Sequence, residues 1–326
     1  MNYKVLVAGG AGFIGSHVVD ELCTRGHEVM VIDNFSSGSM ENLTWPVDIN
    51  VVDMASDSLH PFQTGFKVRD WRPTHVIDLA ASPYIPDSFK DEKWSQYVMR
   101  ANIGMAMNMA SMIMPIRTRI EKYLYISTSE TYGTALSPEP MDETHRLHPQ
   151  STYATSKLAA ENVLTNWYYE HGLPVAVLRQ FNTYGPRGTH PYIIPEIISQ
   201  LSKHHDQVTL GNIRAERDFM YVKDAAHIMV DTLFHHNIKE GERYNSCTGT
   251  TISIQDIVDR IAGVQHLGKP CINVDHKRLR PHDVERLLGS NKKLMKILGK
   301  FEFCPFDAGL LATIEYYKQR GSWLWE

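Results

Sequence analysis

The chain predicts an α/β protein: a doubly wound parallel sheet with a smaller carboxyl-terminal α/β lobe. Three observations carry this. An apolar strand, Lys4 to Ala8, runs into AGGAGFIGSH, where Gly9, Gly12 and Gly15 are spaced by threes ahead of an amphipathic helix through Arg25. Apolar β-type runs then alternate with long helical segments, the pattern of successive β-α-β units. After FNTYGPRG the segments shorten and the alternation stops.

In such a unit the first glycine permits a tight turn, the second lets a pyrophosphate approach, and the third lets the helix pack on the sheet. The phosphate meets the helix N-terminus, beside Phe13 and Ile14. The second strand, Glu28 to Ile32, ends in Asp33, where an acid receives ribose hydroxyls and repels a 2′-phosphate, so NAD is expected rather than NADP. Asn34, Ser37 and Gly38 extend that cofactor loop. Val47 to Val52 is a third strand. Asp53 at its end either meets the adenine amino group or caps its own loop, with Met54 alongside. His75 to Leu79 is a fourth strand, closed by Ala80 and Ala81, whose small side chains let a dinucleotide lie against the backbone. Ser82 opens a loop near the reacting group. The segment Ser95 to Met114 is helical and rich in methionine, which suits a core or a dimer interface. Asn102 within it is placed to reach the strand ends.

The central strand, Tyr123 to Ile126, leads into a polar cluster in YLYISTSETYG. Ligands in open α/β sheets sit beyond the strand carboxyl ends, so Thr128, Ser129 and Glu130 point at a substrate. Tyr153 and Lys157, four apart in YATSK, share a helix face. A phenol titrates near pH ~10, and a nearby cation favours its phenolate. Tyr153 is therefore suited to take the proton of an alcohol while hydride leaves the same carbon. Val175 to Arg179 is a sixth strand. The segments Val208 to Leu210, Asp218 to Val222 and Arg243 to Asn245 read as parts of a lobe covering the crevice. Arg217 and Arg280 offer forked cationic donors of the kind a diphosphate needs.

A net charge of -4 and a pI near 6.5 leave no electrostatic footprint for nucleic acid or an anionic membrane. No apolar run approaches a membrane span and no signal-type segment opens the chain, so a cytoplasmic protein is expected. Cys23, Cys247, Cys271 and Cys304 lack metal-type spacing and read as buried or partly buried thiols. The pairs His204-His205 and His235-His236 read as exposed helix ends, and no metal is expected.

Taken together, GGAGFIGSH, Asp33, DLAA at Asp78 to Ala81, STSETYG, YATSK, FNTYGPRG, RDFMYVKD and RLRPHDVERL cover nearly the whole chain. In that order they resemble the extended short-chain dehydrogenase/reductase family, in its branch of NAD-dependent nucleotide-sugar epimerases and dehydratases. The resemblance implies a Rossmann domain over 1–180, to which the chain returns between 215 and 250. Residues 181–326 then form mainly a nucleotide-sugar-binding lobe. It implies a seven-stranded sheet, and a homodimer formed through the methionine-rich helix and the Tyr153 helix. Tyr153 becomes the oxidising base, Lys157 also bonds the nicotinamide ribose, and Thr128 bonds the sugar hydroxyl at C4. Asn182, Arg217 and Arg280 match positions that hold the substrate diphosphate.

Within that branch a 4-epimerase needs no further acid or base. A 4,6-dehydratase must remove the C5 proton and protonate the departing C6 hydroxyl. Glu130 suits the first task. Many retaining 4,6-dehydratases carry Asp where this chain has Ser129, which leaves Glu130 to relay the proton while Ser129 holds the leaving oxygen. IIPEIISQL, VTLGNIRAERDFMYVKD and RLRPHDVERL look most like UDP-N-acetylglucosamine 4,6-dehydratases of the legionaminic-acid type. The expected order is dehydratase, then UDP-glucuronate decarboxylase, then 4-epimerase. Intact Thr128, Tyr153, Lys157 and Glu130 argue against a non-catalytic NAD-binding sensor.

Overall fold

Side chains alternate across the central sheet, so each of its faces is apolar and each is covered by helices. The computed structural model describes residues 2–55, 60–86, 91–135, 138–279 and 284–320. Its strands are β1 (Lys4–Ala8), β2 (Glu28–Asp33), β3 (Asp48–Val51), β4 (His75–Asp78), β5 (Lys122–Thr128), β6 (Val175–Gln180), β7 (Asn182–Tyr184), β8 (Gln207–Leu210), β9 (Glu216–Arg217), β10 (Phe219–Tyr221), β11 (Arg243–Ser246), β12 (Ile252–Ser253), β13 (Cys271–Val274) and β14 (Arg286–Leu287). Its α-helices are α1 (Phe13–Thr24), α2 (His60–Trp71), α3 (Glu92–Ile113), α4 (Thr152–His171), α5 (Ile193–His204), α6 (Val222–Phe234), α7 (Ile254–Val264), α8 (Lys292–Leu298) and α9 (Phe306–Arg320).

Seven strands form one sheet in the order β11-β6-β5-β4-β1-β2-β3, and every neighbouring pair is parallel. The chain starts at β1, builds outward to β3, then crosses back to β4. The topological switch therefore falls between β1 and β4, where an open sheet leaves a crevice. Tyr123 and Tyr125 of β5 point to the face covered by α2, α3 and α4, and Leu124 and Ile126 to the face covered by α1, α6 and α8. A third core, built on α5, α7, α9, β8 and β10, fills the lobe.

Two expectations are corrected. Arg243 to Asn245 belongs to the edge strand of the main sheet, pairing with β6, and not to the covering lobe. The strand reads RYNS, and its last three residues are buried, with Asn245 accepting from Tyr132 OH and donating to Met141 O, so no apolar run marked it as part of the sheet. Cys271 is exposed, while Cys247 is buried and Cys23 and Cys304 are partly buried. The histidine pairs sit at the ends of α5 and α6. Met105, Met109 and Met112 pack into the core and Met107 faces out, 38% exposed. Among the described residues no helix is long and apolar enough to cross a membrane.

Local signals explain where the functional helix begins and ends. The Ser151 hydroxyl accepts from Ala154 N at 3.1 Å, which starts α4 and places Tyr153 in its first turn. Gly172 closes it in the left-handed conformation, φ 70°. In the interior, Glu161 is fully buried and meets Arg179 at 2.8 Å, while Ser127 donates to the same carboxylate. The pair ties α4 to β5 and β6 directly beneath the site. Breaking such a pair strands a buried charge, so Glu161→Gln is expected to lose about 3–5 kcal/mol of stability. Urea denaturation checks this, and a loss under about 1 kcal/mol would place the pair among exposed ones.

Candidate active site

The turn after β1 is built for close approach. Gly9 has φ +74°, and a Cβ there would sit 3.0 Å from Leu79 C and Ala80 N. A Cβ on Gly15 would lie 2.0 Å from Gly9 O, so α1 can start against the turn only with glycine. Gly12 lines the same turn, and Gly38 lies behind it against the Ala11 backbone. Asp33 at the end of β2 accepts from Ala11 N at 2.9 Å and from Phe35 N at 2.8 Å. Its carboxylate thus buttresses the glycine turn as well as facing the cleft.

One cleft of about 1510 Å³ runs from this turn across the strand ends to the lobe. That exceeds the ~300–1,000 Å³ of a single small-molecule site and leaves room for a dinucleotide and a second ligand. Gly9, Gly12, Phe13, Ile14, Gly15, Asp33, Asn34, Ser37, Met54, Leu79, Ala80, Ala81 and Ser82 line it, as do Thr128, Ser129, Glu130, Tyr153, Lys157, Asn182 and Arg217. A glycine cradle that side chains would fill, an acid at the end of the next strand and small residues at Ala80 and Ala81 fit a dinucleotide.

Some expected residues sit elsewhere. Asp53 is outside the cleft lining and accepts from Ala55 N at 3.1 Å and Asn34 Nδ2 at 3.2 Å, the loop-capping role. Asn102, 1% exposed, accepts from Ser82 N at 2.7 Å and donates to Ser156 Oγ at 2.9 Å. It orders the Ser82 loop from behind and does not reach the cleft. Arg280 lies outside the described residues. Cleft residues that the sequence did not disclose include Tyr84, His190 and Tyr192, whose rings pack together, with Tyr84 and His190 stacked at 4.9 Å. Tyr84 comes from the loop after β4 and His190 and Tyr192 from the one before α5, so no local pattern could have joined them.

At the end of β5, Thr128 Oγ1 accepts from Glu130 N at 3.2 Å and bonds Tyr153. Ser129 is 2% exposed. The half-buried Glu130 side chain has no hydrogen-bond partner among the described residues and acts electrostatically on Tyr153. Burial raises the Tyr153 pKa, the Glu130 charge adds to this, and the Thr128 bond opposes it. The expected lowering by Lys157 is not seen, because the Lys157 ammonium turns to the Tyr125 ring, 4.2 Å from its centre. Burial brings Lys157 down to about 8 against the charges of Asp78 and Glu161.

A dinucleotide cleft that joins a phenol, an ammonium and an uncommitted carboxylate defines a class: an enzyme that oxidises and reduces an alcohol carbon through a bound cofactor. The chain belongs to the GDP-mannose 4,6-dehydratase family, whose profile matches residues 6–309. It is thus an extended short-chain dehydrogenase/reductase of the nucleotide-sugar dehydratase, decarboxylase and epimerase branch. The chain is 28% identical to the UDP-N-acetyl-alpha-D-glucosaminuronate decarboxylase of Bacillus cytotoxicus over 98% of this chain and 99% of that one. It is 26% identical to the dTDP-D-glucose 4,6-dehydratase of Mus musculus over 97% and 89% of the two. The UDP-glucose 4-epimerase of Thermus thermophilus, solved with NAD, superposes with a TM-score of 0.83 at 30% identity, covering 97% of this chain and 99% of that one.

Replacing Asp33 by alanine removes a charged acceptor of two backbone bonds, each of a kind that contributes about 1.5–3 kcal/mol. NAD affinity is expected to fall by roughly tenfold or more, and the NAD-to-NADP preference to narrow, as read by calorimetry. An unchanged ratio of the two affinities would sink the ribose role.

Proposed function

We propose that the protein is an NAD-dependent nucleotide-sugar 4,6-dehydratase. The observation that carries this is Glu130, a carboxylate left uncommitted in the cleft beside Tyr153. Simple inversion at C4 gives it nothing to do. The glycine turn, Asp33 and the Ala80-Ala81 wall would hold NAD, which when bound would supply a reversible hydride acceptor. Asn182 and Arg217 face the diphosphate of the sugar nucleotide, with Arg280 assigned to the same group.

Thr128 and Tyr153 meet the C4 hydroxyl, and Tyr153 takes its proton as C4 becomes a ketone. Lys157 keeps a positive charge under the site, over the Tyr125 ring, and would bond the nicotinamide ribose. The ketone acidifies C5, and Glu130 takes that proton. Glu130 then gives it to the C6 hydroxyl, which leaves as water while Ser129 bonds the departing oxygen. The proton held by Tyr153 would pass to C5 as C6 takes back the hydride, so that Tyr153 and Glu130 end as they began and the product is the 4-keto-6-deoxy sugar.

A second reading has its own support. Ser129 stands where an acid would serve C6, and decarboxylation of a C6 carboxylate needs no such acid. The Bacillus cytotoxicus relative carries that activity in its name. The test is incubation with NAD and a panel of UDP-, dTDP- and GDP-sugars, beginning with UDP-N-acetylglucosamine, with product mass as the readout. Loss of water establishes the dehydratase, loss of carbon dioxide from a glucuronate establishes the decarboxylase, and an isomer of unchanged mass establishes an epimerase. We assign the outward residues Met107 of α3 and Tyr169 of α4 to a homodimer interface, and the protein to the cytoplasm.

A further inference from the structure

Beneath the site lies a buried charge for which the reaction has no use. Asp78 ends β4 and is 0% exposed. It accepts from Tyr123 OH at 2.6 Å and from Ala80 N at 3.2 Å, both neutral donors. An ionised carboxylate buried this completely needs an opposite charge close by. In the sheet register Asp78 is paired with Tyr125, and the Lys157 ammonium stands 4.2 Å over the Tyr125 ring. Lys157 is itself 2% exposed, so it has the matching need.

The surroundings single out this pairing. Glu161, one turn beyond Lys157 on α4, already has its own cation in Arg179 of β6, at 2.8 Å. Tyr123 and Tyr125 of β5 and Tyr153 of α4 are phenols whose ionisation burial disfavours. Glu130 acts on Tyr153 at the cleft. From α3 the uncharged Asn102 packs here, against Ser156. Asp78 is the carboxylate left for Lys157.

We propose that Asp78 is the buried counter-charge that keeps Lys157 an ammonium and, through Ala80 N, ties it to the turn forming the cofactor wall. Asp78 touches neither substrate nor cofactor and is a positioning residue. Its place in catalysis rests on the role proposed for Lys157 above; the charge pairing does not.

The test therefore uses no sugar. Below about pH 8 Lys157 is protonated in the folded protein, and it is protonated in the unfolded chain as well. Its contribution to stability there is independent of pH. In Asp78→Asn the folded-state value drops further, the unfolded chain binds the extra proton, and stability falls as pH is lowered from 8 toward that new value. Thermal midpoints of Asp78→Asn and of Asp78→Asn/Lys157→Met are compared between pH ~8 and ~6. Both lack the Asp78 carboxylate, so they differ in the lysine. The single variant is expected to fall relative to the double variant by about 2–4 °C for each unit of further lowering. Parallel profiles overturn the proposal. If Asp78→Asn does not fold and the double variant does, the stranded ammonium is the cause and the proposal holds. If neither folds, Asp78 acts through its Tyr123 and Ala80 bonds and the proposal fails.

Discussion

Tyr153→Phe is expected to abolish reduction of the nicotinamide and all product formation while leaving NAD bound. The variant keeps the ring that packs at the start of α4 and deletes only the oxygen that bonds Thr128. One such bond contributes about 0.5–1.5 kcal/mol, so the fold survives. Positioned proton transfer contributes about 10²–10⁴ in rate, and a loss of that size is the expected reading. Stopped-flow absorbance of the reduced cofactor measures the first half-reaction alone, so a defect in elimination cannot be confused with it. Turnover within about tenfold of the unaltered enzyme would remove Tyr153 from the role of base.

Glu130→Gln is expected to separate the two halves of the reaction. Oxidation at C4 proceeds, the C5 proton stays in place, and reduced cofactor accumulates with an oxidised sugar beside it. The loss of final product is expected at about 10²–10⁴-fold, again the size of one positioned proton transfer. A second signature follows from electrostatics. The Glu130 charge raises the Tyr153 pKa, so its removal lets the phenol ionise at lower pH. The pH profile of C4 oxidation should then move toward acid, opposite to the effect of removing a cation. Normal product release by Glu130→Gln would mean that the carboxylate only shapes the loop after β5.

The dinucleotide half of the site was legible because its chemistry is written in contiguous residues. Gly9, Gly12, Gly15 and Asp33 act through backbone approach and strand-end position, and both follow from local pattern. The Tyr153 and Lys157 pair was legible for the same reason, since four residues on a helix share a face whatever surrounds them. What their neighbours do to them was not. Lys157 was expected to act on Tyr153, yet in the fold it faces Tyr125, while Glu130 and Thr128 act on the phenol. Asp53 and Asn102 have polar side chains at plausible positions, and only the fold shows their hydrogen bonds spent on Asn34, Ala55, Ser82 and Ser156.

The sequence by itself determined most of the central sheet, its flanking helices, the cofactor turn and the shared helix face of Tyr153 and Lys157, because periodicity and glycine spacing are properties of a few adjacent residues. The return of the chain to the sheet between 215 and 250 was expected, but only the tertiary structure decided that Arg243–Ser246 is the strand that makes it. It alone set Glu161 against Arg179, and Asp78 beside Tyr125 under Lys157. The physical reason is burial. A charge reveals its partner only when water is excluded from around it, and which distant residues exclude that water is settled by the packing of the whole chain.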